Sequence, residues 1–248
     1  MSPARPMAML KYVQTPIVRV QMDPSAHRGR QPVGTARRWD RGDVELTSHF
    51  GLERAVASHR LAGAAPQWPE EPLNDVEWSA LLDRVQIQWS WRMLAAAIRD
   101  RALPASPTQT DEALSRAADA AINDLHVESR LVQVCQEFEG AGVEYRALKG
   151  ATTARRVYRD PELRSFADVD VLVGGDDFDR AVEIIERRGG RRRYEEARAG
   201  FDRRFSKGAS FSMPDGVAID LHRTFVLGPY GFTVDLEGIL ARGAQINV

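Results

Sequence analysis

The sequence predicts a fold of mixed class, α+β or α/β: a sheet with flanking helices, preceded by a helical module. Three observations predict it. Apolar residues recur every three or four positions between residues 74 and 139. From residue 143 the pattern changes to alternating, β-branched strands separated by helical segments. Weaker apolar runs after residue 190 add antiparallel strands to that βαβαβ order.

Residues 1–72 are rich in Arg, Pro, Gly and Ala, as in Ser25-Ala26-His27-Arg28-Gly29-Arg30-Gln31-Pro32, and show no sustained period of 2 or 3.6. They are expected to form a poorly ordered basic tail, because such a segment buries too little apolar surface to offset its ordering entropy. Its Arg28, Arg30, Arg37 and Arg38 could meet RNA or another polyanion. Met1, Met7 and Met9 leave the start site open, and Pro66-Gln67-Trp68-Pro69-Glu70-Glu71-Pro72 reads as a linker.

The helical module is expected at 73–140. Asn74 with Glu77 three residues on fits a helix-start capping pair. Trp78, Leu82, Val85, Trp89 and Met93 then form one apolar stripe to about Asp100, and at this spacing the tryptophans read as core rather than as a platform for a base. Pro104 and Pro107 break the chain. A second helix is expected from about Thr110 to Glu139, with Leu114, Ala118, Ala121, Leu125, Val132, Cys135 and Phe138 inward.

The third unit spans 141–248. Gly140 and Gly142 close the preceding helix, 143–148 reads as a strand and Gly150 to about Tyr158 as a short helix. Asp168-Val169-Asp170-Val171-Leu172-Val173 is an alternating strand stopped by Gly174-Gly175. A helix follows over 176–188, with Phe178, Ala181, Val182 and Ile185 inward and Asp176, Asp177 and Asp179 suiting its start through the macrodipole. The runs 191–194, 201–207 and 211–213 read as weaker strands, and 216–222 as a further strand after the Pro214-Asp215-Gly216 turn. The arginines of 187–193 read as a solvated turn, with a grip on RNA or triphosphate as the sharper reading.

Composition excludes several classes. Hydrophobic residues at 43% and charged residues at 28% are ordinary globular usage, which rules out wholesale disorder. With 34 Lys+Arg against 35 Asp+Glu the formal net charge is -1, so any nucleic-acid surface has to be a local patch. A single cysteine, Cys135, allows neither an internal disulfide nor a thiolate zinc site. No signal-type run follows Met1 and no uncharged stretch of about 20 residues occurs, so a soluble, cytoplasmic protein without membrane contact is expected.

The chemistry concentrates on three carboxylates. Asp168 and Asp170 stand two apart on a strand and so project from one face, while Val169, Val171 and Val173 point the other way. Such carboxylates repel each other unless a divalent cation sits between them, and oxygen ligands favour Mg²⁺ or Mn²⁺ over zinc. Asp220 lies on another strand with His222 on its own side. If the two strands are neighbours, three carboxylates converge, enough to hold two metals for an in-line displacement at phosphorus. Upstream, Leu148-Lys149-Gly150 runs from a strand end into a helix. Gly150 lets the backbone approach a phosphate, the free amides of the helix start suit an anion, and Lys149 adds a positive charge. Arg164 can neutralise a further phosphate oxygen. His222 is a candidate base or phosphate contact, with a hydrogen bond inside the core as the plainer reading.

Leu148-Lys149-Gly150, Tyr158-x-Asp160, Arg164, Asp168 to Val173 and Ile219-Asp220-Leu221-His222, in this order and spacing, resemble the uncharacterised bacterial nucleotidyltransferase-like proteins, divergent members of the polymerase-β-type superfamily. The resemblance covers about Asp75 to Arg223. It implies an α+β fold with a polymerase-β-like mixed sheet, metal bound by Asp168 and Asp170, and Asp220 as the third carboxylate. It also puts Lys149-Gly150 where the superfamily has its Gly-Gly or Gly-Ser phosphate loop. The Lys-Gly pair departs from the better-studied enzymes, and the chain runs only about 25 residues past Asp220, where relatives continue into a helical region, so acceptor recognition could draw on a second subunit.

The expected activity is Mg²⁺-dependent (or Mn²⁺-dependent) transfer of a nucleotide monophosphate from an NTP to an acceptor hydroxyl. The acceptor stays open between a small molecule, tRNA and protein, a toxin acting on tRNA or protein among these cases. Two alternatives stand beside it: a non-catalytic nucleotide- or RNA-binding module of the same fold, and a glycosyltransferase using Asp-x-Asp for a metal-diphosphate sugar. Two further expectations follow. Without a counter-ion all three carboxylates should destabilise the protein, so that Asp170→Asn melts no lower than wild type. The segment before Pro72 should be dispensable for catalysis.

Overall fold

The computed structural model describes residues 9–13, 49–61, 63–225 and 235–247. Seven strands, β1 (Met9–Val13), β2 (Tyr145–Ala147), β3 (Asp168–Val173), β4 (Arg191–Arg192), β5 (Gly208–Ser212), β6 (Ala218–His222) and β7 (Gly243–Asn247), form one mixed sheet in the order β4-β5-β6-β3-β2-β1-β7. β3 and β6 are parallel, whereas β2 runs antiparallel to β3, β5 to β6 and β4 to β5. The outer pair joins through a parallel β1–β2 contact and an antiparallel β1–β7 ladder. Helices flank this sheet: α1 (His49–Ser58), α2 (Asp75–Gln88), α3 (Trp91–Arg99), α4 (Pro107–Gly140), α5 (Lys149–Val157), α6 (Phe178–Arg187), α7 (Phe201–Arg204) and α8 (Leu236–Ala241). The class is α+β. Among the described residues no helix is long and apolar enough to cross a membrane.

Strand alternation sorts the sheet into two faces. Val169, Val171, Phe211, Ile219 and Leu221 enter a buried core with Val127, Leu131, Val134 and Phe138 of α4 and Ala181 and Ile185 of α6. The opposite face carries the polar residues of the same strands. A second core joins α1, α2, α3 and the first half of α4 through Leu52, Val56, Leu81, Val85, Leu94, Ala113 and Ala117. The long helix therefore serves both cores.

Several elements differ from the sequence reading, β1, α8 and β7 among them standing where it placed none. The stripe from Asn74 to Asp100 is two helices, because Trp89 adopts a left-handed conformation (φ 53°) at the end of α2 and stands 45% exposed. Asn74 does cap α2, accepting from the amides of Val76 and Glu77, with the Glu77 side chain reaching back to its own amide. Cys135 and Phe138 of α4 are buried as expected, but toward the middle of the helix the buried side is rotated from the expected one: Leu125 is 67% exposed and Ala118 is exposed, while Ala117, Asp124, Val127 and Leu131 are buried. Asp124 explains the rotation, since it is buried against Arg92 (2.6 Å) and accepts from the Phe166 amide (3.0 Å). The run expected as a strand at 201–207 begins instead with α7. Gly200 turns into it at φ 76°, and Phe201 and Phe205, four apart, bring their rings to 5.5 Å.

Last, α1 stands where no regular structure is expected. Leu52, Ala55 and Val56 are buried, and just beyond the helix Arg60 binds Asp100 (2.8 Å) and Asp160 (2.6 Å). A helix this short is marginal by itself, so tertiary packing rather than local sequence makes it. Arg28, Arg30, Arg37 and Arg38 lie outside the described residues.

Candidate active site

The site follows from strand register. β3 and β6 pair so that Asp170 stands directly beside Asp220, Asp168 beside Ala218 and Leu172 beside His222. Paired residues in adjacent strands face the same side, so all three aspartates and His222 project from the face opposite the α4–α6 core. Ligand atoms of Asp170, Asp220 and His222 lie within 4.8 Å of one another. Asp168 shares their face one register step away and is not in that group.

Partners divide the carboxylates. Asp170 is buried, and its Oδ1 receives His222 Nε2 at 2.6 Å and Lys149 Nζ at 3.0 Å. Burial pushes its pKa up, but the His222 and Lys149 hydrogen bonds and their charge outweigh that and hold it below the ordinary carboxylate value. Asp168 is half-buried, and burial followed by the charges of Asp170 and Asp220 raises its pKa despite Lys149 nearby. Asp220 accepts a hydrogen bond from Ser210 on β5 (2.6 Å). The expectation that all three carboxylates destabilise the protein without a counter-ion is thus corrected at Asp170, which Lys149 and His222 already compensate.

The lead-in comes from β2. The Leu148 amide donates to the Asp170 carbonyl (2.9 Å), which sets Lys149 beside the carboxylates. The Lys149 ammonium remains 62% exposed. Burial lowers its pKa, but the Asp170 hydrogen bond and the charges of Asp170, Asp168 and Asp220 raise it overall. Gly150 takes φ 50° and ψ -124°, a conformation that L side chains strongly avoid, so the chain turns into α5 only because this residue is glycine. Leu148, the residue before α5, makes no side-chain cap.

Two sequence-selected groups are not drawn in. The Arg164 guanidinium donates to the neighbouring Ser165 carbonyl. Tyr158 and Asp160 sit at the far end of α5, where Arg60, His59, Met93 and Leu163 line a cleft of about 770 Å³ with them. Sequence reasoning also missed Ser210, whose signal exists only in the β5–β6 register that pairs it with Asp220.

The donor set suits a divalent cation: two carboxylates and an imidazole from adjacent strands on one sheet face, Asp170 and His222 buried and Asp220 half-buried, an arrangement met by Mg²⁺ or Mn²⁺ through oxygen and tolerant of nitrogen ligation by the latter. A family described as an uncharacterised nucleotidyltransferase matches residues 74–248, all but the first part of the chain. No curated protein and no solved structure matches it.

Proposed function

The chain belongs to the uncharacterised nucleotidyltransferase family, a family of transferases, and from that premise we propose that it moves a nucleotide monophosphate from an NTP to an acceptor hydroxyl. The observation that carries this reading is the Asp170–Asp220 register pair on the polar sheet face, with Lys149 and Gly150 entering beside it. Family membership takes the place of the glycosyltransferase alternative.

In this reading Asp170 and Asp220, with Asp168 one step along the strand, hold Mg²⁺ or Mn²⁺. The bound cation supplies charge neutralisation and polarises the phosphate oxygens. Lys149, exposed and held only by Asp170, exchanges that partner for the triphosphate, while the amides around Gly150 cradle it. His222 keeps the Asp170 carboxylate in position through its 2.6 Å bond. Asp220, less covered than Asp170, takes the proton of the acceptor hydroxyl, and Ser210 fixes its orientation. Arg164 reaches a phosphate oxygen only by giving up its Ser165 carbonyl. Electrostatics and positioning supply most of the acceleration, as in phosphoryl transfer generally.

The test incubates the protein with each α-labelled NTP, Mg²⁺ or Mn²⁺, and cell extract. Label transfer with pyrophosphate release is expected for wild type and not for Asp170→Asn. Nucleotide binding without pyrophosphate release would make the chain a non-catalytic module. No binding of any NTP with either metal would remove the reading altogether.

A further inference from the structure

The segment 187–207 holds nine Lys and Arg against three Asp and Glu, in a chain whose formal net charge is -1. Part of that charge is spent internally. Arg188 pairs with Glu137, Arg203 with Asp179, and Arg192 with Glu186 and Asp202 while lying 5.5 Å over the Phe211 ring. Arg191 and Arg193 are exposed and make no ion pair among the described residues.

Their direction is fixed by the sheet. Arg191 pairs with Ser212, Ser212 with Ala218, and Ala218 with Asp168. One register step on, the Arg193 amide bonds the Ser210 carbonyl (2.9 Å), Ser210 pairs with Asp220, and Asp220 with Asp170. Two rows thus cross four strands on the carboxylate face, each with an arginine at the sheet edge and an aspartate at its inner end. The residues between, Ser212, Ala218 and Ser210, are small and half-buried, which leaves a shallow trough. At strand spacing, the Arg193 backbone lies roughly 10 Å from that of Asp220. Tyr194, next along the edge, is 78% exposed.

The order of strands separates two anion sites. Lys149 and Gly150 approach from β2, on one side of the acidic pair, and Arg191 on β4 with Arg193 just past its end stand on the other. An in-line displacement needs the leaving phosphates and the attacking hydroxyl on opposite sides of the reacting phosphorus. The arginine edge is therefore on the acceptor side. Resting on the nucleotidyl-transfer reading above, we infer that the acceptor is a single-stranded nucleic acid, its phosphates on Arg191 and Arg193, a base on Tyr194, and its terminal hydroxyl in the trough at Asp220. Exposed guanidinium groups beside an exposed aromatic ring are what a flexible phosphodiester strand with free base faces requires.

Binding of labelled oligouridylate and oligothymidylate, each about 12 nucleotides long, is measured by anisotropy on the full chain across a salt series. Wild type is expected to bind, with the stronger oligomer naming the sugar. Arg191→Ala with Arg193→Ala should weaken binding about tenfold or more and flatten the log–log salt slope by about 1.4, near 0.7 for each phosphate no longer neutralised. Tyr194→Ala should weaken binding about fivefold or more and leave the slope unchanged. NTP binding with Mg²⁺, read by thermal shift, should not change in these surface variants. Failure of wild type to bind either oligomer, equal binding by the double arginine variant, or displacement of the strand by polyglutamate as readily as by unlabelled strand would overturn the inference. Loss of NTP binding in the arginine variant would overturn it too, by moving these arginines to the triphosphate. Strand binding that tracks Arg191 and Arg193 without any label transfer would sink the enzymatic reading instead.

Discussion

Two aspartates on one strand, two residues apart, have opposite energetic characters. Asp170 holds two cationic or hydrogen-donating partners at 2.6 and 3.0 Å, whereas Asp168 faces like charges. In chelator-treated protein Asp170→Asn should therefore lower the melting temperature, a loss of about 1.5–3 kcal/mol for a buried hydrogen-bonded charge. Asp168→Asn should raise it, by up to about 1 kcal/mol, through relief of repulsion. Thermal melts of the two variants decide this, and equal shifts would contradict the assignment of partners. Lys149→Ala should weaken NTP binding by about 1.5–3 kcal/mol, and a nucleoside monophosphate by less, in titration calorimetry. Equal losses for both ligands would make Lys149 a support of Asp170 only. At this scale the sequence was informative: the alternation of 168–173 and 219–222 puts the acidic residues on single faces. The Lys149–Asp170 and Ser210–Asp220 contacts were not legible, since each depends on which strand lies next to which.

Between elements, Asp215 in the β5–β6 turn accepts from Arg130 of α4 (3.1 Å at Nε), and His126 stands 3.2 Å away, tying the long helix to the sheet. Burial alone would raise the Asp215 pKa, but the Arg130 and Val217 hydrogen bonds hold it below the ordinary value. A depressed folded pKa stabilises above the unfolded value of about 3.9 and is lost as pH falls through the folded one. Asp215→Asn should accordingly cost about 1 kcal/mol at neutral pH, with the difference closing in acid below about pH 4. Denaturant midpoints across that range measure it. The elements legible in sequence are those with strong local signals: the capped start of α2, β3 stopped by Gly174-Gly175, and α6. The inward side of the middle of α4 was not, because buried Asp124 with its Arg92 partner does not count as apolar in a periodicity reading. Neither was α7, four residues long and set by ring contact between Phe201 and Phe205.

For the molecule as a whole, the first 61 residues matter more than their composition implies. Leu52 and Val56 complete the helical core, and burying each contributes about 1.5–3 kcal/mol. β1 stands between β2 and β7. Deleting residues 1–61 should lower the melting temperature sharply; unchanged stability of the truncation would show that α1 and β1 contribute nothing. The α4 helix, 34 residues or about 51 Å long, has a further consequence. Ala113 and Ala117 belong to one core, and Val127 to Phe138 to the other, along one unbroken run of backbone hydrogen bonds. Neither half can open without stripping the support from the other. Amide protons near the middle of that helix therefore exchange with solvent only when the entire molecule opens, and heat capacity on melting shows one peak where two cores would otherwise give two.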